Sequence, residues 1–141
     1  MKNFAVTISL LAMLTGCARI VSEDLLVDKE GVKYYEASLR PYSGRVHESW
    51  DNGNMKLEGS YKRGKEEGTW TWWYYSGQKL CEGTFDDGKR GGIWIWWFEH
   101  GQKSREESYA DGLLDGKSTM WREDGEILGE TIYRDGKPVA E

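Results

Sequence analysis

Residues 68–77 read G-T-W-T-W-W-Y-Y-S-G, with five aromatic side chains in ten positions, and a near copy, G-I-W-I-W-W-F-E-H-G, begins at Gly92. The interval between the copies, 24 residues, recurs along the chain: segments beginning at Gly44, Gly68, Gly92 and Gly116 align without a gap. Further columns hold in all four. They are a glycine (Gly53, Gly77, Gly101, Gly125), a glutamate (Glu58, Glu82, Glu106, Glu130), an aromatic residue (Tyr61, Phe85, Tyr109, Tyr133) and a last glycine (Gly64, Gly88, Gly112, Gly136). Repetition at this spacing marks a stacked array, in which each unit buries its apolar surface against its neighbours.

Each unit holds two runs of six to eight residues separated by turn-forming groups such as Tyr75-Ser76-Gly77 and Asp86-Asp87-Gly88. Glycine in these groups supplies the positive φ that tight hairpins need. The runs are rich in Trp, Tyr, Thr and Ile, which favour strands, and glycine recurs too often for a helix of ten residues or more. The expected fold is all-β: a repeat array of antiparallel hairpins forming a single elongated, twisted sheet of about nine strands, roughly 40 Å across at the usual strand spacing.

Side chains alternate along a strand. Trp70, Trp72 and Tyr74 therefore share one face, and Trp94, Trp96 and Phe98 repeat them one unit on. A two-residue turn at Ser76-Gly77 would set Trp70 opposite Gly83, Trp72 opposite Cys81, Trp73 opposite Leu80 and Tyr74 opposite Lys79, with the Trp70 ring covering Gly83. No amphipathic helix or second sheet is evident to cover these rings. The face is accordingly expected to be part core, with rings packed on one another, and part open contact surface, since large exposed apolar patches mark contacts. Its candidate partner-binding residues are Trp70, Trp72, Tyr74, Trp94, Trp96 and Phe98. The glutamate column reads either as a solvated face paired with nearby lysines or as an acidic stripe for a basic partner.

The pattern G-x-W-x-x-[WY]-[WY]-x-x-G-x-x-x-x-E-G-x-[FY]-x-x-G-K, matched best by Gly68, Trp70, Trp73, Tyr74, Gly77, Lys79, Glu82, Gly83, Phe85, Gly88 and Lys89, resembles the variant MORN repeat. It looks most like the YwqK-type antitoxin family built from such repeats. The resemblance covers roughly residues 31–139 and implies a binding role, neutralisation of a toxin by occlusion. The fourth unit departs from the pattern, with Ser118 for the first Trp and Arg122 for an aromatic, which reads as a capping hairpin.

The amino terminus, M-K-N-F-A-V-T-I-S-L-L-A-M-L-T-G-C, has one positive charge followed by a short apolar run, too short to span a bilayer as a helix and suited to the core of a signal peptide. It ends in Leu14-Thr15-Gly16-Cys17, which resembles the bacterial lipobox and implies cleavage before Cys17 and acylation of that residue. The expected organisation is a signal peptide at residues 1–16, a lipidated tether at 17–30 and the repeat domain at 31–141. Ala18 in place of Asp fits sorting to the outer membrane, facing the periplasm. Acylation of Cys17 leaves Cys81 as the one remaining thiol, read as a small buried apolar residue.

A formal charge of −5 argues against nucleic acid, whose binding surfaces need clustered Lys and Arg. The two histidines, His47 and His100, are far apart in sequence, and no metal-ligand spacing or catalytic constellation stands out. The expectation is a non-enzymatic protein without a cofactor. It would bind a protein partner, a toxin on the family resemblance, as a monomer or by self-association through the aromatic face. The alternative is an envelope scaffold that contacts glycan or lipid.

Overall fold

The computed structural model describes residues 20–35 and 40–139; Cys17 and the signal peptide lie outside them. Thirteen strands follow in order: β1 (Ile20–Ser22), β2 (Leu26–Lys29), β3 (Val32–Tyr35), β4 (Gly44–Ser49), β5 (Met55–Lys62), β6 (Lys65–Glu66), β7 (Gly68–Trp73), β8 (Lys79–Asp86), β9 (Lys89–Trp97), β10 (Lys103–Ala110), β11 (Leu113–Trp121), β12 (Ile127–Arg134) and β13 (Lys137–Pro138). A 3₁₀ turn, Glu23–Leu25, joins β1 to β2.

Eleven of these strands form one open sheet in the order β1-β4-β5-β7-β8-β9-β10-β11-β12-β13, with β6 beside β5. From β4 onward every pairing is antiparallel and follows chain order, which is the expected hairpin array. Eight of the eleven strands, β4, β5 and β7 to β12, come from the four hairpins; β1 adds to the edge of β4, parallel to it, and β6 and β13 are short extensions, which makes eleven rather than the expected nine.

Two kinds of turn alternate, and the sequence spells out both. One is a two-residue turn with positive φ at both positions, as at Asp87 (48°) and Gly88 (80°). This is the type I′ geometry that matches the twist of the flanking strands. Successive copies are stitched together: the Gly88 amide donates to Glu66 O, Gly112 to Arg90 O and Gly136 to Leu114 O, at 2.8–2.9 Å.

The other turn corrects the sequence reading. Tyr74 N–H donates to Gln78 O at 2.8 Å and Gly77 N–H to Tyr74 O at 2.9 Å, so the loop has three residues, Tyr75-Ser76-Gly77, rather than two. Gly77 at φ 88° makes it a turn with a glycine bulge. Near the turn Trp73 consequently faces Lys79, not Leu80, and Tyr74 closes the loop against Gln78 rather than facing Lys79. Leu80 is an extra residue between Lys79 and Cys81, and beyond this second bulge the expected register is restored, with Trp70 opposite Gly83 and Trp72 opposite Cys81.

The amino-terminal segment also differs from expectation. Within the span expected as a tether, 17–30, residues 20–29 form β1, the 3₁₀ turn and β2, and β2 pairs with β3 as a separate two-stranded sheet. Val21 and Leu26 are buried in one cluster with Val46, Leu57, Tyr61 and Trp70, against which Tyr35 and Tyr42 pack. The hairpin therefore covers the first-repeat end of the aromatic face. Covering it places apolar side chains on Tyr61 and satisfies that residue's hydroxyl, which donates to Glu23 Oε1 at 3.0 Å. Burial, followed by the Glu23 charge, raises the Tyr61 pKa.

Candidate functional site: the aromatic face

The aromatic side chains of one sheet face form a continuous stack. Centroids run Tyr42–Tyr61 6.4 Å, Tyr61–Trp70 5.1 Å, Trp70–Trp72 5.7 Å, Trp72–Trp94 5.8 Å and Trp94–Trp96 5.8 Å. Phe85 sets its edge against Trp70, Trp72 and Trp94 at 4.9–6.5 Å. A buried ring removes about 150–250 Å² from water, and a well-placed pair adds about 0.5–1.5 kcal/mol beyond that area. The stack is thus the core of a protein whose central repeats have only one layer.

The six expected contact residues divide into two groups. Trp70 and Trp94 keep only 3% and 1% of their surface exposed, so they are core and offer no surface to a partner. Trp72, Tyr74, Trp96 and Phe98 are half-buried. Two features hide Trp70 and Trp94. Each indole lies flat over a glycine of the preceding repeat: an added Cβ on Gly59 would stand 2.2 Å from Trp70, and one on Gly83 2.1 Å from Trp94. Each indole N–H then donates to a carbonyl beside that glycine, Trp70 to Ser60 O and Trp94 to Thr84 O, both at 3.2 Å. The ring expected over Gly83 was Trp70, its cross-strand partner. Trp70 instead leans the other way, onto Gly59, and Gly83 is covered by Trp94.

Two arginines and a glutamate, not singled out from the sequence, complete the face. The Arg90 guanidinium lies 4.4 Å above the Trp94 ring and 5.8 Å above Trp96, and it donates to Tyr109 Oη at 3.2 Å. Arg105 lies 4.7 Å above Trp96. Glu107, itself buried, is 3.4 Å from Arg105 and accepts from Tyr109 Oη at 2.7 Å. Burial, with the hydrogen bond to Glu107, raises the Tyr109 pKa.

This polar group closes the stack where the fourth repeat lacks its first Trp. By the 24-residue interval, Glu107 stands in the column of Gly59 and Gly83, and Ser118 in the column of Trp70 and Trp94. Glu107 and Ser118 are direct cross-strand partners. Both columns break at the same contact, and that joint departure was the available signal for the residues the sequence reading missed.

On the opposite face the glutamate column is paired with basic residues. Glu58 meets Arg45 at 3.8 Å, Glu82 meets Lys79 at 2.7 Å, Glu106 meets Lys103 at 2.7 Å and Glu130 meets Lys117 at 2.5 Å. The hydrogen bond from Lys117 lowers the Glu130 pKa. The arrangement is a mixed-charge surface rather than a bare acidic stripe. A shallow hollow on this side is lined by Arg45, Glu58, Ser60, Thr69 and Thr71. Among the described residues no three His, Cys, Asp or Glu side chains are grouped to hold a metal ion. Cys81 is buried beneath the stack, and burial pushes its thiol up to about 12 against the opposing pull of Arg90 and Arg105. It is therefore a protonated packing residue at neutral pH.

An open array of β-hairpins with one ring-stacked face defines a repeat protein. The sequence matches the model of the MORN repeat variant over residues 66–87 and 90–111. The contact of Trp94 with Gly83 lies within these two segments, and Trp70 reaches back from the first of them to Gly59. No curated protein matches the chain.

Proposed function

We propose that this protein is a non-enzymatic binding module, anchored to a membrane through acylated Cys17, that grips a protein partner along the half-exposed rim of its aromatic face. The observation that carries this reading is the contrast within the stack. Trp70 and Trp94 are buried, while Trp72, Tyr74, Trp96 and Phe98 stand half-exposed beside them. Rings held against a rigid core present contact area at little entropic cost, and Trp and Tyr are the residues most often found at the energetic centre of protein interfaces. Tyr74 is fixed by donating to Trp97 O at 2.8 Å, and Trp96 by Arg105 above it. The likeness to YwqK-type antitoxins supports a toxin as the partner and occlusion as the means. An outer-membrane anchor facing the periplasm suits interception of a toxin delivered there.

The test is affinity capture from an envelope extract with the native protein and with the Trp72→Ala plus Trp96→Ala variant, whose fold is checked by circular dichroism. The native protein is expected to enrich a specific protein that the folded variant loses. Enrichment unchanged by the variant, or none at all, overturns the reading. Sedimentation with peptidoglycan or lipid vesicles that depends on the same two rings would favour an envelope scaffold contacting glycan or lipid.

A further inference from the structure

We infer that the outer surface of the β2–β3 hairpin, together with Leu25, rests in the headgroup layer of the membrane that holds the anchor. This rests on the acylation of Cys17 proposed above. Only Ala18 and Arg19 lie between Cys17 and the first residue of β1, and an extended chain covers at most about 3.6 Å per residue, so β1 begins within about 11 Å of the anchored residue. With β1 an integral edge of the sheet, the folded domain has no slack with which to stand off from the bilayer, and some surface near β1 must face lipid.

The side chains around β1 indicate which surface. Leu26 points inward and is buried in the cluster with Tyr61 and Trp70, whereas Val27, its neighbour in β2, points outward and, with Leu25 of the 3₁₀ turn, is exposed, at 39% and 43%. Val27 is in register with Tyr34 on β3, which places both on the outer side of the hairpin. Lys29 stacks over the Tyr34 ring at 5.3 Å. Leucine, valine, a tyrosine and a lysine on one surface are the residue types that settle where hydrocarbon meets headgroups, the tyrosine hydroxyl and the ammonium staying in the polar layer.

The contact is apolar rather than electrostatic, because Glu23, Asp24, Asp28 and Glu30 outnumber Lys29 and Lys33 in this segment. Neutral lipid is therefore sufficient. With the amino-terminal edge seated this way, the sheet rises from the membrane strand by strand, and the Trp72–Trp96 rim is carried away from the lipid.

The full-length acylated protein, reconstituted into phosphatidylcholine vesicles, tests this. An environment-sensitive fluorophore is attached at Leu25→Cys or, as a control near the far edge of the sheet, at Leu128→Cys; both positions are exposed, and buried Cys81 stays unlabelled. Lipids brominated near the headgroup are expected to quench the label at position 25 several-fold more than the label at 128. The mass of the Cys17 peptide is read from the same sample. Equal, weak quenching at both positions with Cys17 acylated overturns the docking and leaves the anchor intact. A free Cys17 thiol overturns anchor and docking together. Quenching at position 25 that requires anionic lipid overturns the apolar contact.

Discussion

Gly83 and Gly91 sit near each other on adjoining strands, yet an added methyl group meets opposite surroundings at the two. At Gly83 it would stand 2.1 Å from the Trp94 indole, whereas at Gly91 nothing lies within 4 Å. Gly83→Ala must displace a ring that is itself locked by its neighbours, a loss of about 1–3 kcal/mol. Gly91→Ala is expected to be neutral or to stabilise by about 0.4–1 kcal/mol through the unfolded chain. Urea denaturation reads both: the midpoint should fall for the first variant and hold or rise for the second, with slopes unchanged. Equal midpoints would remove the ring-over-glycine account of the core. The sequence marks Gly83 as a repeat position, and strand alternation puts it on the tryptophan face. Alternation is silent on which neighbouring strand an indole leans toward, so the identity of the covering ring was not legible.

At the scale of the element, the unit is a hairpin whose far side is completed by the next hairpin. Strands and turns were readable because turn chemistry is local: an Asp-Gly pair after an aromatic run selects type I′. The length of the other loop is not legible in the same way, because Ser76-Gly77 is compatible with two residues or three until the strands pair. The paired departure at Glu107 and Ser118 belongs to this scale. Ser118→Trp alone would drive an indole onto the buried Glu107 carboxylate. Glu107→Gly alone would strip Tyr109 and Arg105 of their acceptor, a loss of about 1–3 kcal/mol. Made together, they recreate the contact seen between Trp94 and Gly83. The double variant is expected to be more stable than the sum of the single losses by at least about 1 kcal/mol, measured as a thermodynamic cycle in urea. Strict additivity would show that the fourth repeat does not use the same geometry.

For the molecule as a whole, the amino-terminal hairpin decides how the array begins. The sheet's first repeat has Val46 where the later units have Trp70 and Trp94, and the missing volume is made up by Val21, Leu26 and Tyr35 from outside the repeats. Leu26→Asp would bury a carboxylate against Tyr61 and Trp70. The expected result is a loss of about 3 kcal/mol or more with a red shift of tryptophan emission as the end of the stack becomes wet. A variant with unchanged emission and unchanged stability would mean that the hairpin is no part of the core.

The sequence by itself determined the period, the strand-and-turn alphabet and the shared face of Trp70, Trp72, Trp94 and Trp96, because these follow from backbone dihedral preference and two-fold alternation within a few residues. Only the tertiary structure decided that Trp70 and Trp94 are buried while Trp72 and Trp96 are half-open. It also decided that residues 20–35 close one end of the stack and that Arg90, Arg105 and Glu107 finish the other. Burial is a sum over neighbours contributed by other strands, and no local pattern records how far a ring leans or what folds back to meet it.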